Sequence, residues 1–241
     1  MAPAGNRLAG PVDEEPDEAL AGQEGDDPIE PVTTTSPPRA GTGGAALLAE
    51  VDRELSRMKV SSYSHRTHVD EDAATFEYDC SGLLVYALSR SVPDALRTVR
   101  ATATRRPRSA ELVAFLEDIP AGSFHGRWER VDRVRDLAPG DVVVWLKPAD
   151  SRSTNTGHTM IVHGFPSADL DHPGAFIVPI ADSTEGPHGP GDSRAGAHGT
   201  GLGQGEIVLV TDGSGAPVGY RWSSTRKSRL KATTIALGRL R

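Results

Sequence analysis

The chain has 241 residues, 26 basic and 33 acidic side chains, a formal charge of −7 and 37% hydrophobic residues. That is apolar material for one globular domain, and no stretch approaches the ~18 consecutive apolar residues of a membrane span. A single cysteine excludes an intramolecular disulfide and a cysteine-based zinc site, and the lack of a basic excess excludes a general nucleic-acid footprint.

Residues 1–44 hold nine acidic side chains against Arg7 and Arg39, so the whole net charge sits there. This Pro-, Gly- and acid-rich segment has almost no large apolar residue and is expected to be a disordered, solvated tail. The N-terminus carries no apolar run of the signal-peptide kind. The expected location is therefore the cytoplasm, with signal-independent export left open.

One domain is expected over residues 45–241, where basic and acidic side chains balance at 24 each. Leu47, Leu48, Val51, Leu55 and Met58 recur at helical spacing, which predicts an amphipathic helix from Ala45 to about Val60. Ser61 to Phe76, with Tyr63, His65 and His68, reads as polar and irregular. In the run that follows, Asp79 is a good N-cap, and Leu83, Leu84, Ala87 and Leu88 share one helical face. Cys80 then falls in the first helical turn. Unpaired backbone N–H groups and the helix dipole favour a thiolate there, the form that attacks carbonyls. A lone cysteine preceding a helix is more often a small buried hydrophobe.

Short helical pieces follow at Pro93 and at Ser109, the second with Ser109 as its cap. The pattern then changes to strands: Val142 to Leu146 after a turn, Gly157 to Gly164, Ala175 to Asp182, a hairpin of Glu206–Thr211 with Val218–Trp222, and Ala232 to Leu240. Helices first and then five or six strands with short connections is the α+β pattern.

A cysteine nucleophile needs a base and a group that orients the base. Among eight histidines, His158 begins a strand just after Gly157, whereas His163 has the other parity and points to the opposite face. Asp182 ends the strand expected to pair with that of His158. There it would accept the Nδ1–H of His158 and turn the other nitrogen toward Cys80. Glu185 to His198 holds His188, Asp192 and Arg194 among glycines, with no HExxH, and reads as a mobile lid or specificity loop; neither a metal nor a cofactor is expected. The last 23 residues carry seven basic side chains and no acidic one, either a solvated face or a surface for an anionic partner.

Tyr78-Asp79-Cys80-Ser81-Gly82-Leu83-Leu84-Val85-Tyr86 resembles the aromatic-D-C-S-G-L-V signature of bacterial cell-wall cysteine peptidases of the NlpC type, which are papain-like. Asp136 to Val143 is similar to that family's D-L-x-P-G-D-L-V strand, and Gly157 to Val162 to its G-H-V-G-I-Y strand. The resemblance covers residues 45 to 182 firmly and the C-terminal strands loosely. It implies a nucleophile helix packed on an antiparallel sheet of five or six strands. It further implies Cys80 as nucleophile, His158 as base, a polar residue on the next strand as orienter and Tyr63 at the oxyanion site. The activity it implies is hydrolysis of an amide, through an acyl-enzyme, in a peptide or peptidoglycan-like substrate.

The family's third member is commonly a histidine, which makes His172 and His188 the substitutes for Asp182. Its W-G-G element has no counterpart in Arg66 to Asp72. The order of Cys before His fits the unpermuted branch rather than the circularly permuted acyltransferases. The alternative readings are an amidase, acyltransferase or effector with another substrate, or a non-catalytic binding module on the same fold. The sequence leaves the oligomeric state open.

Overall fold

The computed structural model describes residues 43–102, 106–151, 154–196 and 199–241; the acidic tail up to residue 42 and His198 lie outside them. Helix α1 (Gly43–Arg57) buries Leu47 and Val51, as its apolar stripe predicts. It begins two residues before the expected start of the domain and ends before Val60, which opens a strand. The segment expected to be irregular is instead a small sheet of β1 (Val60–Tyr63), β2 (His68–Asp70) and β3 (Thr75–Tyr78), in the order β1-β3-β2 with β1 parallel to β3. Its outer strands are only three and four residues long, so backbone pairing with β3 organises them.

Three further helices follow: α2 (Cys80–Ser91), α3 (Pro93–Thr102) and α4 (Ser109–Glu117). Ser109 is the first helical residue rather than the cap, its hydroxyl lying 3.0 Å from that of Thr159, while Glu111 accepts the Arg108 backbone N–H at 3.1 Å. The remaining strands are β4 (Phe124–His125), β5 (Trp128–Val131), β6 (Val142–Leu146), β7 (Gly157–Val162), β8 (Ser167–Ala168), β9 (Ala175–Thr184), β10 (Gly201–Thr211), β11 (Pro217–Arg221), β12 (Lys231–Ala232) and β13 (Ile235–Leu240).

These ten strands form one sheet in the order β12-β11-β10-β9-β7-β6-β13-β5-β4, with β8 beside β9 and every pair antiparallel. The fold is α+β, with ten strands in its main sheet where five or six were expected. The additional strands are short: β4, β8 and β12 have two residues each, and partner strands rather than an apolar pattern define them.

Side-chain alternation gives the sheet two apolar faces. Val142, Val144, Ile161 and Ala181 pack with Leu47, Leu83, Leu84, Leu88 and Leu112 of the helices. Val143, Trp145, Met160, Val162, Ile180 and Tyr220 form the second face. The sheet curls around that face far enough for Tyr220 of β11 to stack on Trp145 of β6, with ring centroids 3.8 Å apart and planes within 10°. Leu83 and Leu84 of α2 are fully buried, and each contributes about 1.5–3 kcal/mol that holds the helix carrying Cys80 against the sheet. No helix among the described residues is long and apolar enough to cross a membrane.

Candidate active site

Asp79 caps α2 in an extended conformation: its Oδ1 accepts the Gly82 backbone N–H at 2.7 Å and the Ser81 hydroxyl at 3.0 Å. Arg106 forms an ion pair with the same oxygen at 2.8 Å, and the His65 Nδ1 lies 3.3 Å from Oδ2. This places the free thiol of Cys80, 5% exposed, at the first residue of the helix. Two ties fix the chain leading into it. Ser183 of β9 donates its hydroxyl to the Tyr78 carbonyl at 2.6 Å, and the parallel register of β1 with β3 sets Tyr63 abreast of Tyr78.

Strands β7 and β9 pair with Ile161 opposite Ala181. Continuing that register, Asp182 faces Met160 and is the diagonal neighbour of His158 on the same face of the sheet. His158 Nε2 donates to Asp182 Oδ2 at 2.5 Å. This reverses the expected use of the ring. A diagonal partner lies beyond the reach of the proximal nitrogen, so Nε2 spans to Asp182 and Nδ1 is left free of it, with the Cys80 thiol near enough to act on the charge of the ring. Burial by itself disfavours the charged imidazole. The charge on Cys80 and the hydrogen bonds to Asp182 and Cys80 outweigh it and raise the His158 pKa to about 10.

Asp182 is fully buried, which opposes its charge, yet His188 and His158 hold its carboxyl well below the usual carboxylate range. Its Oδ2 accepts a second bond, from His188 Nε2 at 2.8 Å, and its Oδ1 accepts from Arg194 at 2.9 Å. The His188 Nδ1 faces the Trp222 carbonyl at 2.8 Å, so both nitrogens of that ring face acceptors. Arg194 in turn grips Asp192 through Nε at 2.8 Å and NH2 at 2.7 Å, and Asp192 accepts the His188 backbone N–H at 2.9 Å.

The segment expected to be a mobile lid therefore folds inward as the support of Asp182. Three of its polar side chains are buried, with His188 at 3%, Asp192 at 6% and Arg194 at 4% exposed. Space for them comes from β10. A side chain at Gly205 would put Cβ 2.5 Å from the Asp192 carboxylate, and one at Gly203 would put it 2.6 Å from Arg194 Nε.

Asp182 and His188, weighed as alternatives for the third position, occupy one cluster together. His172 does not join it: its Nδ1 pairs with Asp169 at 2.9 Å in the turn before β9. His163 lies beyond the end of β7 and meets Asp52 and Gln204, each at 2.8 Å. His158, Asp182 and His188 have donor atoms within 4.8 Å of one another, the spacing of a cation site. Arg194 on the other carboxylate oxygen already supplies a positive charge there, which disfavours a divalent ion.

No family model matches the sequence, and no solved structure matches the chain. The chain is similar to an uncharacterized protein of Acanthamoeba polyphaga mimivirus, 34% identical over 128 residues that cover 46% of this chain and 56% of that protein. It thus spans little more than half of that relative's length.

Two cavities meet at the thiol and the imidazole. One, of about 400 Å³, is lined by Cys80, Tyr63, His65, Arg106, Arg108 and Asn155 among others. The second, of about 300 Å³, is lined by His158 together with Trp145, Tyr220, Trp222 and Glu185. Tyr63, Asn155 and Gly157 belong to both and form the saddle between them. The Asn155 amide donates to the Tyr63 hydroxyl oxygen at 3.3 Å. Burial, then the nearby charges of Cys80 and Asp79, push the Tyr63 phenol above its ordinary pKa, which keeps it a protonated donor. Residues 66–72, where the W-G-G element would fall, line neither cavity. The cavity walls came instead from Arg106, Arg108, Asn155 and Trp222, which stand alone in the sequence without a spacing that marks them.

Proposed function

We propose that the chain is a cysteine hydrolase of papain-like, NlpC type that cleaves an amide bond through an acyl-enzyme. The observation that carries this reading is the thiol at the start of α2 together with an imidazole near it that is hydrogen bonded to a buried, charged Asp182. In the first step the Cys80 thiolate attacks the carbonyl carbon. As the C–S bond forms and the C–N bond breaks, the imidazolium Nδ1–H of His158 passes its proton to the departing nitrogen. Water then gives a proton to His158 and its oxygen to the acyl carbon, and the C–S bond breaks. This returns the thiolate and the imidazolium.

The Cys80 backbone N–H and the Tyr63 hydroxyl are the donors for the oxyanion, the latter with its proton available because Asn155 donates to its oxygen. The resemblance of the three sequence blocks directs the substrate class toward peptides of the cell-wall kind. Alkylation of the purified protein with iodoacetamide across pH, for wild type and His158→Ala, tests the chemistry. Wild type reacts faster than His158→Ala, because the imidazole assists the thiol only in the first. Identical profiles for the two proteins overturn the reading. Release of new amines from muropeptides tests the substrate class.

A further inference from the structure

The two cavities divide the chemistry of a cleaved amide. The acyl half of a substrate becomes bonded to Cys80 and lies on the side of the thiol. The amine half takes its proton from His158 and lies over the imidazole. The cavity that His158 lines without Cys80 is therefore the leaving-group side.

That side is aromatic out of proportion to the chain. Only twelve residues are Phe, Trp or Tyr, yet two of the three tryptophans and two of the four tyrosines border this space. Trp145 and Tyr220 stack on each other and form its buried floor. Trp222 is different. It is only partly buried, its ring stacks on His188 at 4.0 Å, and it stands 5.3 Å from His158, edging the space into which a departing group moves. Its indole N–H is held by the Pro187 carbonyl at 3.0 Å, so the plane of the ring is fixed. A fixed ring beside the proton donor favours a flat partner through offset stacking, which aliphatic groups cannot match.

Resting on the cysteine-hydrolase reading, we infer that this cavity is a leaving-group subsite and that Trp222 selects amines borne on an aromatic or similarly flat apolar ring. Trp222 acts as a specificity residue that touches the departing group. The thiol side, with Arg106 and Arg108, has no comparable aromatic surface.

Two reagents that leave the same S–CH₃ group on Cys80 isolate this effect. Methyl 2-pyridyl disulfide expels thiopyridone, a flat ring, and methyl methanethiosulfonate expels the small methanesulfinate. Each rate is divided by the rate of the same reagent with glutathione. Because His158 also protonates the pyridine, the decisive quantity is the change in the ratio of the two rates when only Trp222 is altered. The ratio falls about fivefold in Trp222→Ala, the size of one aromatic contact, and Trp222→Phe retains most of it. The methanethiosulfonate rate serves as the control for damage to the thiol.

An unchanged ratio in Trp222→Ala, with the thiol still fast toward methanethiosulfonate, overturns the subsite. An equal fall with both reagents overturns it too, since Trp222 then acts only through the fold. Rates no faster than glutathione for both reagents in wild type overturn instead the cysteine-hydrolase reading beneath it.

Discussion

Asp182 and Glu54 are both fully buried acids, and the protein treats them in opposite ways. Asp182 has imidazoles on one oxygen and a guanidinium on the other, so it stays ionised despite its burial. Glu54, on α1 behind the strand that leads into Cys80, accepts only the Tyr78 hydroxyl, at 2.6 Å, and its Oε1 has no hydrogen-bond partner among the described residues. Burial pushes its pKa up to about 8. Burial alone neutralises an acid; keeping its charge takes cations placed on every side. The protein makes that investment at one end of β9, where a charge orients the imidazole beside the thiol.

The largest expected effect lies on the charged side. On a substrate that is turned over, His158→Ala lowers hydrolysis by about 10²–10⁴-fold, the usual share of a general acid–base. A loss under tenfold would remove His158 from the mechanism. Next, Asp182→Ala leaves Arg194, His188 and His158 buried without their common partner and costs about 3–5 kcal/mol in denaturant unfolding. A value under ~1 kcal/mol would show that the cluster relaxes or floods with water. Gly205→Ala drives a methyl group into the Asp192 carboxylate, and about 1–3 kcal/mol is expected from that overpacking. The loss should come with slower alkylation of Cys80 at pH 6 if the support of Asp182 matters to the thiol.

The smallest effect belongs to Glu54→Gln. Below pH ~7 this change mimics the protonated acid and alters stability by less than ~1 kcal/mol. The pH dependence separates the two acids more sharply. Glu54 is raised in the folded state, so its stabilisation is full below the ordinary carboxylate range and is lost as pH rises through about 8. Asp182 is lowered, so its contribution is full above that range and is lost only in acid. His158, raised to about 10, contributes fully below ~6.5 and loses its share as pH climbs through 10. Wild-type stability should therefore decline between pH 5 and 6.5, where Glu54 acts alone, with a slope of up to ~1.4 kcal/mol per unit, and Glu54→Gln should flatten that stretch while Asp182→Asn leaves it in place. A wild-type curve that is already flat there would mean that Glu54 is ionised in the fold.

Much of the candidate site was legible where the cue is local. Asp79 caps the Cys80 helix because a short carboxylate followed by an apolar helical face is a local arrangement, complete within six residues. Alternation along β7 puts His158 on the same face as Met160, because alternation is a property of any strand, whereas His163 lies past the end of β7, where parity no longer applies. The α+β class followed from the order of patterns, whereas β4, β8 and β12 escaped notice because two-residue strands have no period to read.

What the tertiary structure decided is everything that depends on meetings between distant segments. It turned Nε2 of His158 rather than Nδ1 toward Asp182, because the partner is diagonal across the sheet. It made His188 a companion of Asp182 instead of a substitute. It folded the Gly-rich stretch from Glu185 inward, because two glycines on β10 leave room for Asp192 and Arg194. A sequence determines by itself the features whose energy is closed within one turn or one strand. The balance of charges around a buried carboxylate belongs to four segments at once, and only their packing sets it.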